Sequence, residues 1–154
     1  MTQAIQEVFG QALNHDSMSE NFADRRRMPV WLALGREVAA TALARGVTPR
    51  GFGSFDPMAF APGRADADGI RVVEWLRDYT AVGAKTHSGI WRDLAVRKRK
   101  TEAEAQLMIM PRLAAQKGIA TPALNALGML IKDIEEGRRE QSPETFNALL
   151  DAIA

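Results

Sequence analysis

The sequence contains no cysteine among its 154 residues. A disulfide framework, a thiolate metal site and a cysteine nucleophile are therefore all excluded. A charge imbalance is lacking too: 20 Lys and Arg stand against 19 Asp and Glu, a formal net charge of +1. Such a chain offers no global electrostatic attraction to nucleic acid or to an anionic membrane. No segment reaches the run of about 18 apolar residues that a membrane span requires. Met1 to Phe9 lack a basic stretch followed by an apolar one, so no secretory signal is expected there. A cytoplasmic location is the default expectation. Histidine occurs only at His15 and His87, with no recognisable ligand spacing around them, so no metal site is expected. His87 adjoins Ser88, and adjacent helical side chains do not face each other, which argues against a serine triad.

What is present is a chain of one-domain length, 46% hydrophobic and 25% charged, which is enough apolar residue to build a core. The apolar periodicity is helical throughout. Trp31, Leu34, Val38 and Ala42 form one stripe, with Pro29 suited to its first turn and Gly46 to its end. Val73, Leu76 and Thr80 form a second, which Asp68 could cap. Ala103, Leu107, Met110 and Ala114 form a third that ends at Lys117-Gly118, and Pro111 within it predicts a kink or break. Leu124, Leu127, Ile131 and Ile134 form the cleanest stripe, with Thr121 as cap, Pro122 as first residue and Gly137 as stop. Ser142-Pro143 opens a short last helix. No alternation long enough for a sheet occurs, so the fold class is all-α, one domain over residues 1–154.

Between Gly46 and Gly69 the pattern changes. Prolines and glycines surround Phe52, Phe55 and Phe60, which predicts an ordered connection that packs down. Within it, Gly51-Phe52-Gly53 begins like a dinucleotide fingerprint. The third glycine position is Asp56, Pro57 follows, and no strand precedes, so an aromatic-rich tight loop is the expectation. The run Arg97-Lys98-Arg99-Lys100 could contact phosphate, as could Arg25-Arg26-Arg27. Acidic neighbours Asp93 and Glu102 instead favour local ion pairing or solvation of the first run. In Thr101-Glu102-Ala103-Glu104, acidic residues suit a helix start. Alternatively, Glu102, partly desolvated, could serve as an acid or hydrogen-bond partner for a substrate hydroxyl.

Four pieces in order carry a resemblance. Lys85-Thr86-His87-Ser88-Gly89-Ile90-Trp91-Arg92-Asp93-Leu94 is followed by Thr101-Glu102-Ala103-Glu104. Then come Gly118-Ile119-Ala120-Thr121-Pro122 and Ile134-Glu135-Glu136-Gly137-Arg138. Together these resemble the C-terminal helical domain of the ketopantoate reductase family, most strongly over residues 85–137. Upstream, Leu34 to Val47 and Gly53 to Pro57 look like the same branch. The resemblance implies an all-α fold similar to the 6-phosphogluconate dehydrogenase C-terminal-like domain. It implies reduction of 2-dehydropantoate, or a related 2-oxo acid, with NADPH. It further implies Glu102 as the motif glutamate in a catalytic role, and Ser88 and Asn14 as substrate-binding residues.

The departures are informative. No strand–GxGxxG–helix pattern occurs, and no lysine precedes Lys85, where the family carries its general acid. Glu104 stands where the family motif has Asp. Hydride transfer needs a cofactor held against the carbonyl, and carbonyl reduction needs a nearby proton donor. Three readings therefore stand open. The chain is the substrate half of an oxidoreductase, whose Rossmann-domain half comes from a separate chain or from sequence lost by a split or misassigned gene. Or it is a non-catalytic helical module that forms a homo-oligomer or regulates. Or, against its net charge, it binds nucleic acid through its two basic runs.

Overall fold

The computed structural model describes residues 9–154. The helices are α1 (Met18–Ala23), α2 (Met28–Ala44), α3 (Asp66–Ala81), α4 (Gly89–Ala95), α5 (Ala103–Gln106), α6 (Ile109–Ala115), α7 (Pro122–Glu135) and α8 (Pro143–Ile153). Two 3-10 turns, Arg25–Arg27 and Pro57–Phe60, sit between them. Among the described residues there is no strand, only an isolated bridge between Phe52 and Phe55. The fold is all-α.

Helix α2 is the axis of the core. It packs against α3, α6, α7 and α8, while α1 packs on α3. Its inward face buries Trp31, Leu34 and Val38, as the stripe predicts, and Ala42 is half-buried. Trp31 is fully buried, with Phe22 and Phe146 around it at ring distances of 5.2 and 5.6 Å. In α7, Leu124, Leu127 and Ile131 are fully buried. Each such side chain stabilises the fold by about 1.5–3 kcal/mol before entropy is counted. The Gly46–Gly69 connection packs down through Phe55 and Phe60, both buried. Phe60 needs a slot. A Cβ at Gly35 of α2 would lie 2.5 Å from its ring, and one at Gly69 of α3 would lie 3.0 Å from it.

Pro111 acts as expected. It has no N–H to give Leu107, and its ring crowds that carbonyl, so the third stripe splits there. One helix stops at Gln106 and the next starts at Ile109. Two caps differ from the sequence reading. Asp68 does not cap α3: the helix starts two residues earlier, at Asp66, and Asp68 in its first turn pairs with Arg64 and Arg71. Thr121 occupies the cap position of α7, but its side chain makes no cap hydrogen bond. Glu37 of α2 does that work from 84 residues away in the chain. Its carboxylate accepts the N–H groups of Ala123 (2.7 Å) and Leu124 (2.8 Å). Those are the first free donors of the helix, since Pro122 has none. Burial pushes the Glu37 carboxyl above its ordinary range, and the two N–H groups offset only part of that.

Candidate functional site

Two turns meet at a polar junction. One turn precedes α1 and holds Asn14, His15 and Ser17. The other precedes α4 and holds Thr86, His87 and Ser88. The Met18 N–H donates to the Thr86 carbonyl at 2.9 Å. His87 Nε2–H donates to the His15 carbonyl at 2.9 Å, which leaves Nδ1 as acceptor for the Thr86 hydroxyl. The indole N–H of Trp91 donates to His15 Nδ1 at 3.3 Å, and the Trp91 ring lies 4.2 Å from that of His87. The His15 side chain is exposed and that of His87 is half-buried. His15 is thus clasped by His87 and Trp91, 72 and 76 residues away in the chain, and the two turns are held together.

Beneath the clasp, Asn14 is buried. It lies in the turn before α1, and α1 carries Asn21. The two amides pair reciprocally, Asn14 Nδ2 to Asn21 Oδ1 at 2.9 Å and Asn21 Nδ2 to Asn14 Oδ1 at 3.1 Å. Asn14 Oδ1 also takes the Asp16 N–H. Arg27, only 11% exposed at its side chain, donates to Asn21 Oδ1 at 2.5 Å and pairs with Asp16 at 2.7 Å. Its guanidinium stands over the Phe146 ring at 5.0 Å. This network satisfies both oxygens of the amide pair. Asn21 is absent from the residues that the sequence singles out as site candidates, and Arg27 enters there only as part of a basic run that could contact phosphate. No periodicity marks them, because the pairing is between a turn and a helix.

Ser88 is buried as well, and caps α4: its Oγ accepts the Trp91 N–H at 3.0 Å. One turn further, Asp93 is buried and gathers Arg97 and Arg99, each at 2.8 Å. The hydrogen bond from Arg97 is the main cause that holds the Asp93 carboxyl below the usual range; burial opposes it and Arg99 supports it. Half of the basic run is therefore ion-paired locally.

Glu102 stands apart from this junction. It occupies the cap position of α5, a helix of four residues. So short a helix shields little, and Glu102 is exposed where partial desolvation was expected. Its carboxylate meets the Gln106 amide. Thr101 beside it does the capping, its hydroxyl accepting the Ala103 N–H at 3.1 Å. Thr101 is in turn held by Glu135 of α7, which accepts its N–H at 2.8 Å and its hydroxyl at 2.5 Å. The fold thus brings the turns of Asn14 and Ser88 together and anchors the Glu102 segment to α7. Among the described residues, no hydrogen bond or ion pair joins Glu102 to the other two.

The Gly51–Gly53 turn does not fit a dinucleotide. At Gly51, the space that a phosphate would approach is filled by the chain itself: a Cβ there would lie 1.6 Å from the Phe55 carbonyl oxygen. Gly53 is covered by the Trp75 ring, which a Cβ would meet at 2.9 Å. These glycines serve a tight turn, with Gly53 in the left-handed region at φ +54°. Among the described residues no group of three His, Cys, Asp or Glu could hold a metal ion, and no helix is long and apolar enough to cross a membrane.

The description "Ketopantoate reductase PanE/ApbA C terminal" matches residues 9–135. The chain belongs to the ketopantoate reductase C-terminal family. The match begins at Phe9 and takes in both turns of the junction as well as Glu102, so it extends well upstream of the segment where the sequence resemblance is strongest. No curated protein and no solved structure matches the chain.

Proposed function

We propose that this chain is the substrate-binding helical half of a ketopantoate-reductase-like oxidoreductase. In this reading the substrate is 2-dehydropantoate or a related 2-oxo acid. NADPH would be held by a Rossmann domain outside the residues described, since the Gly51–Gly53 turn is filled by Phe55 and Trp75. The family match over residues 9–135 is the observation that carries the reading. Glu102 supports it: the carboxylate is exposed, on a segment fixed to α7 through Thr101 and Glu135, and its Oε1 has no partner among the described residues, so it could meet a substrate hydroxyl. Asn14 and Ser88 are buried, so they would serve a substrate from the junction only after the segments over them move.

Calorimetry with 2-dehydropantoate on the wild type and on Glu102→Ala tests this. The variant is expected to bind about tenfold more weakly, the worth of one hydrogen bond to a charged group. Its melting temperature should hold, because the side chain is exposed. Equal affinities would leave Glu102 as a helix-start residue only.

A second reading is a non-catalytic module that self-associates. The engagement of Asn14 and Ser88 in internal bonds favours it, as does the absence of any lysine before Lys85. Light scattering addresses it directly: a strictly monomeric chain at high concentration would remove self-association.

A further inference from the structure

The junction between the turns of Asn14 and Ser88 is held shut by contacts that belong to no helix. Met18 is the first residue of α1, where an N–H has no acceptor within its own helix. Its N–H donates instead to the Thr86 carbonyl at 2.9 Å, a bond that exists only while the two turns are docked. The other ties run through His15. Its carbonyl accepts the His87 Nε2–H at 2.9 Å, and its ring Nδ1 accepts the Trp91 indole N–H at 3.3 Å. Asn14 precedes His15 and Ser88 follows His87 in the chain, and both are buried.

The two imidazoles answer a proton differently. A protonated His87 keeps its Nε2–H on the His15 carbonyl, while its Nδ1 turns from acceptor to donor. Thr86 can follow that change, because a hydroxyl accepts as well as donates. His15 has no such freedom. With Nδ1 as acceptor, the neutral ring carries its proton on Nε2. A second proton goes to Nδ1, where it meets the indole N–H head on. An indole has only a donor to offer, so the tie to Trp91 is lost. The exposure of His15 lets solvent deliver that proton.

The surrounding charges leave this effect in place. On the α1 side, Asp16 is paired with Arg27 at 2.7 Å, and Asp24 with Arg26 at 2.8 Å. Glu20 is engaged by Ser17 in the capping box and faces His87. The charge of that ring is a lesser cause, after the two Ser17 hydrogen bonds, of a Glu20 carboxyl held below its ordinary range. On the α4 side, Lys85 and Arg92 are exposed cations, and Asp93 is taken up by Arg97 and Arg99. On α3, which packs on α1, Arg77 pairs with Asp78, and Glu74 with Arg25. Among the described residues no carboxylate bonds to either imidazole, so none waits to receive a new N–H on His15.

We propose that His15 is an acid-sensitive latch: protonation of its ring releases Trp91 and loosens the closure over Asn14 and Ser88. The latch stands whether or not the junction takes a substrate.

Amide exchange of the full chain with solvent, followed by NMR from about pH 5 to pH 8 and corrected for the intrinsic rate, tests it at Met18. The Met18 N–H should lose about twofold to tenfold of its protection as pH falls, the worth of one hydrogen bond. The Trp91 indole signal should move with the same midpoint. His15→Asn keeps a neutral acceptor where Nδ1 stands, so its protection should stay high and flat. Trp91→Phe removes the donor and should be low and flat. His87→Gln keeps a donor for the His15 carbonyl and should retain the pH response. Wild-type protection that ignores pH would overturn the latch, and so would a Met18 N–H unprotected at every pH. A His15→Asn variant that responds like the wild type would overturn it too, and a response lost only in His87→Gln would move the switch to that ring. Should Trp91→Phe fail to fold, the wild type and His15→Asn decide between these outcomes.

Discussion

Glu37 offers the sharpest test of how this fold is held together. Replacing it with Ala leaves the N–H groups of Ala123 and Leu124 without an acceptor at the start of α7. Loss of a helix cap costs about 0.5–2 kcal/mol, and an orphaned, partly buried donor about 1–3 kcal/mol. Water reaches this site in part, because Glu37 is only half-buried, so the lower half of these ranges applies. A loss of about 2 kcal/mol lowers the melting temperature by about 4–8 °C in a domain of this size. Glu37→Gln keeps an acceptor oxygen and should lose less than half as much. The charge itself works in the opposite direction. Burial raises the Glu37 carboxyl in the folded state, so between its ordinary value of 4.5 and its raised value the folded chain binds more protons than the unfolded chain. The stability that this group contributes is thus fully present below 4.5 and is lost as pH rises through the raised value. Thermal melts by circular dichroism from pH 4 to 8 should show the Gln variant gaining on the wild type as pH rises. An Ala variant that melts with the wild type, or a Gln variant that falls as far as Ala, would refute the assignment of Glu37 as the cap.

Asp93 should behave with the reverse sign. Its carboxyl is held low, so its contribution is present above the ordinary value of 3.8 and is lost as pH falls through the folded value. Asp93→Asn frees Arg97 and Arg99 and should cost about 1–2 kcal/mol near neutrality, judged by urea denaturation. The deficit should vanish in acid; a constant deficit would mean that packing, not charge, is lost. Gly35→Ala should destabilise by about 1–3 kcal/mol through overpacking, less the roughly 1 kcal/mol that alanine gains in a helix. The Phe60 ring at 2.5 Å is buried and cannot step aside, so a variant as stable as the wild type would show that the slot is looser than the structure has it.

The helices were legible because their signals are local. Pro29, Pro122 and Pro143 each stand in the first turn of a helix, and Gly46, Gly118 and Gly137 each adopt the left-handed turn that ends one. The break at Pro111 follows from one residue's missing N–H. The caps were less legible because competition decides them. Thr121 has the right chemistry in the right place, but Glu37 brings a charge and two lone pairs from another helix. Nothing near Thr121 in the sequence announces that. The site candidates divide in the same way. The Thr-Glu motif places Glu102 through neighbours in sequence. The bonds of Asn14 to Asn21 and of His15 to His87 and Trp91 exist only after α1 and α4 have docked.

That division bears on where a ligand can be received. Asn14 Oδ1 already accepts two donors, and Ser88 Oγ already accepts the Trp91 N–H. Both are buried, so a ligand reaches them only by moving the segments that cover them. Glu102 is exposed, and its hydrogen bond with the Gln106 amide faces water. Binding energy at the junction must first undo folding contacts, whereas at Glu102 a ligand competes with water and one exposed amide. A substrate that reached both would therefore draw more affinity from Glu102 than from the junction.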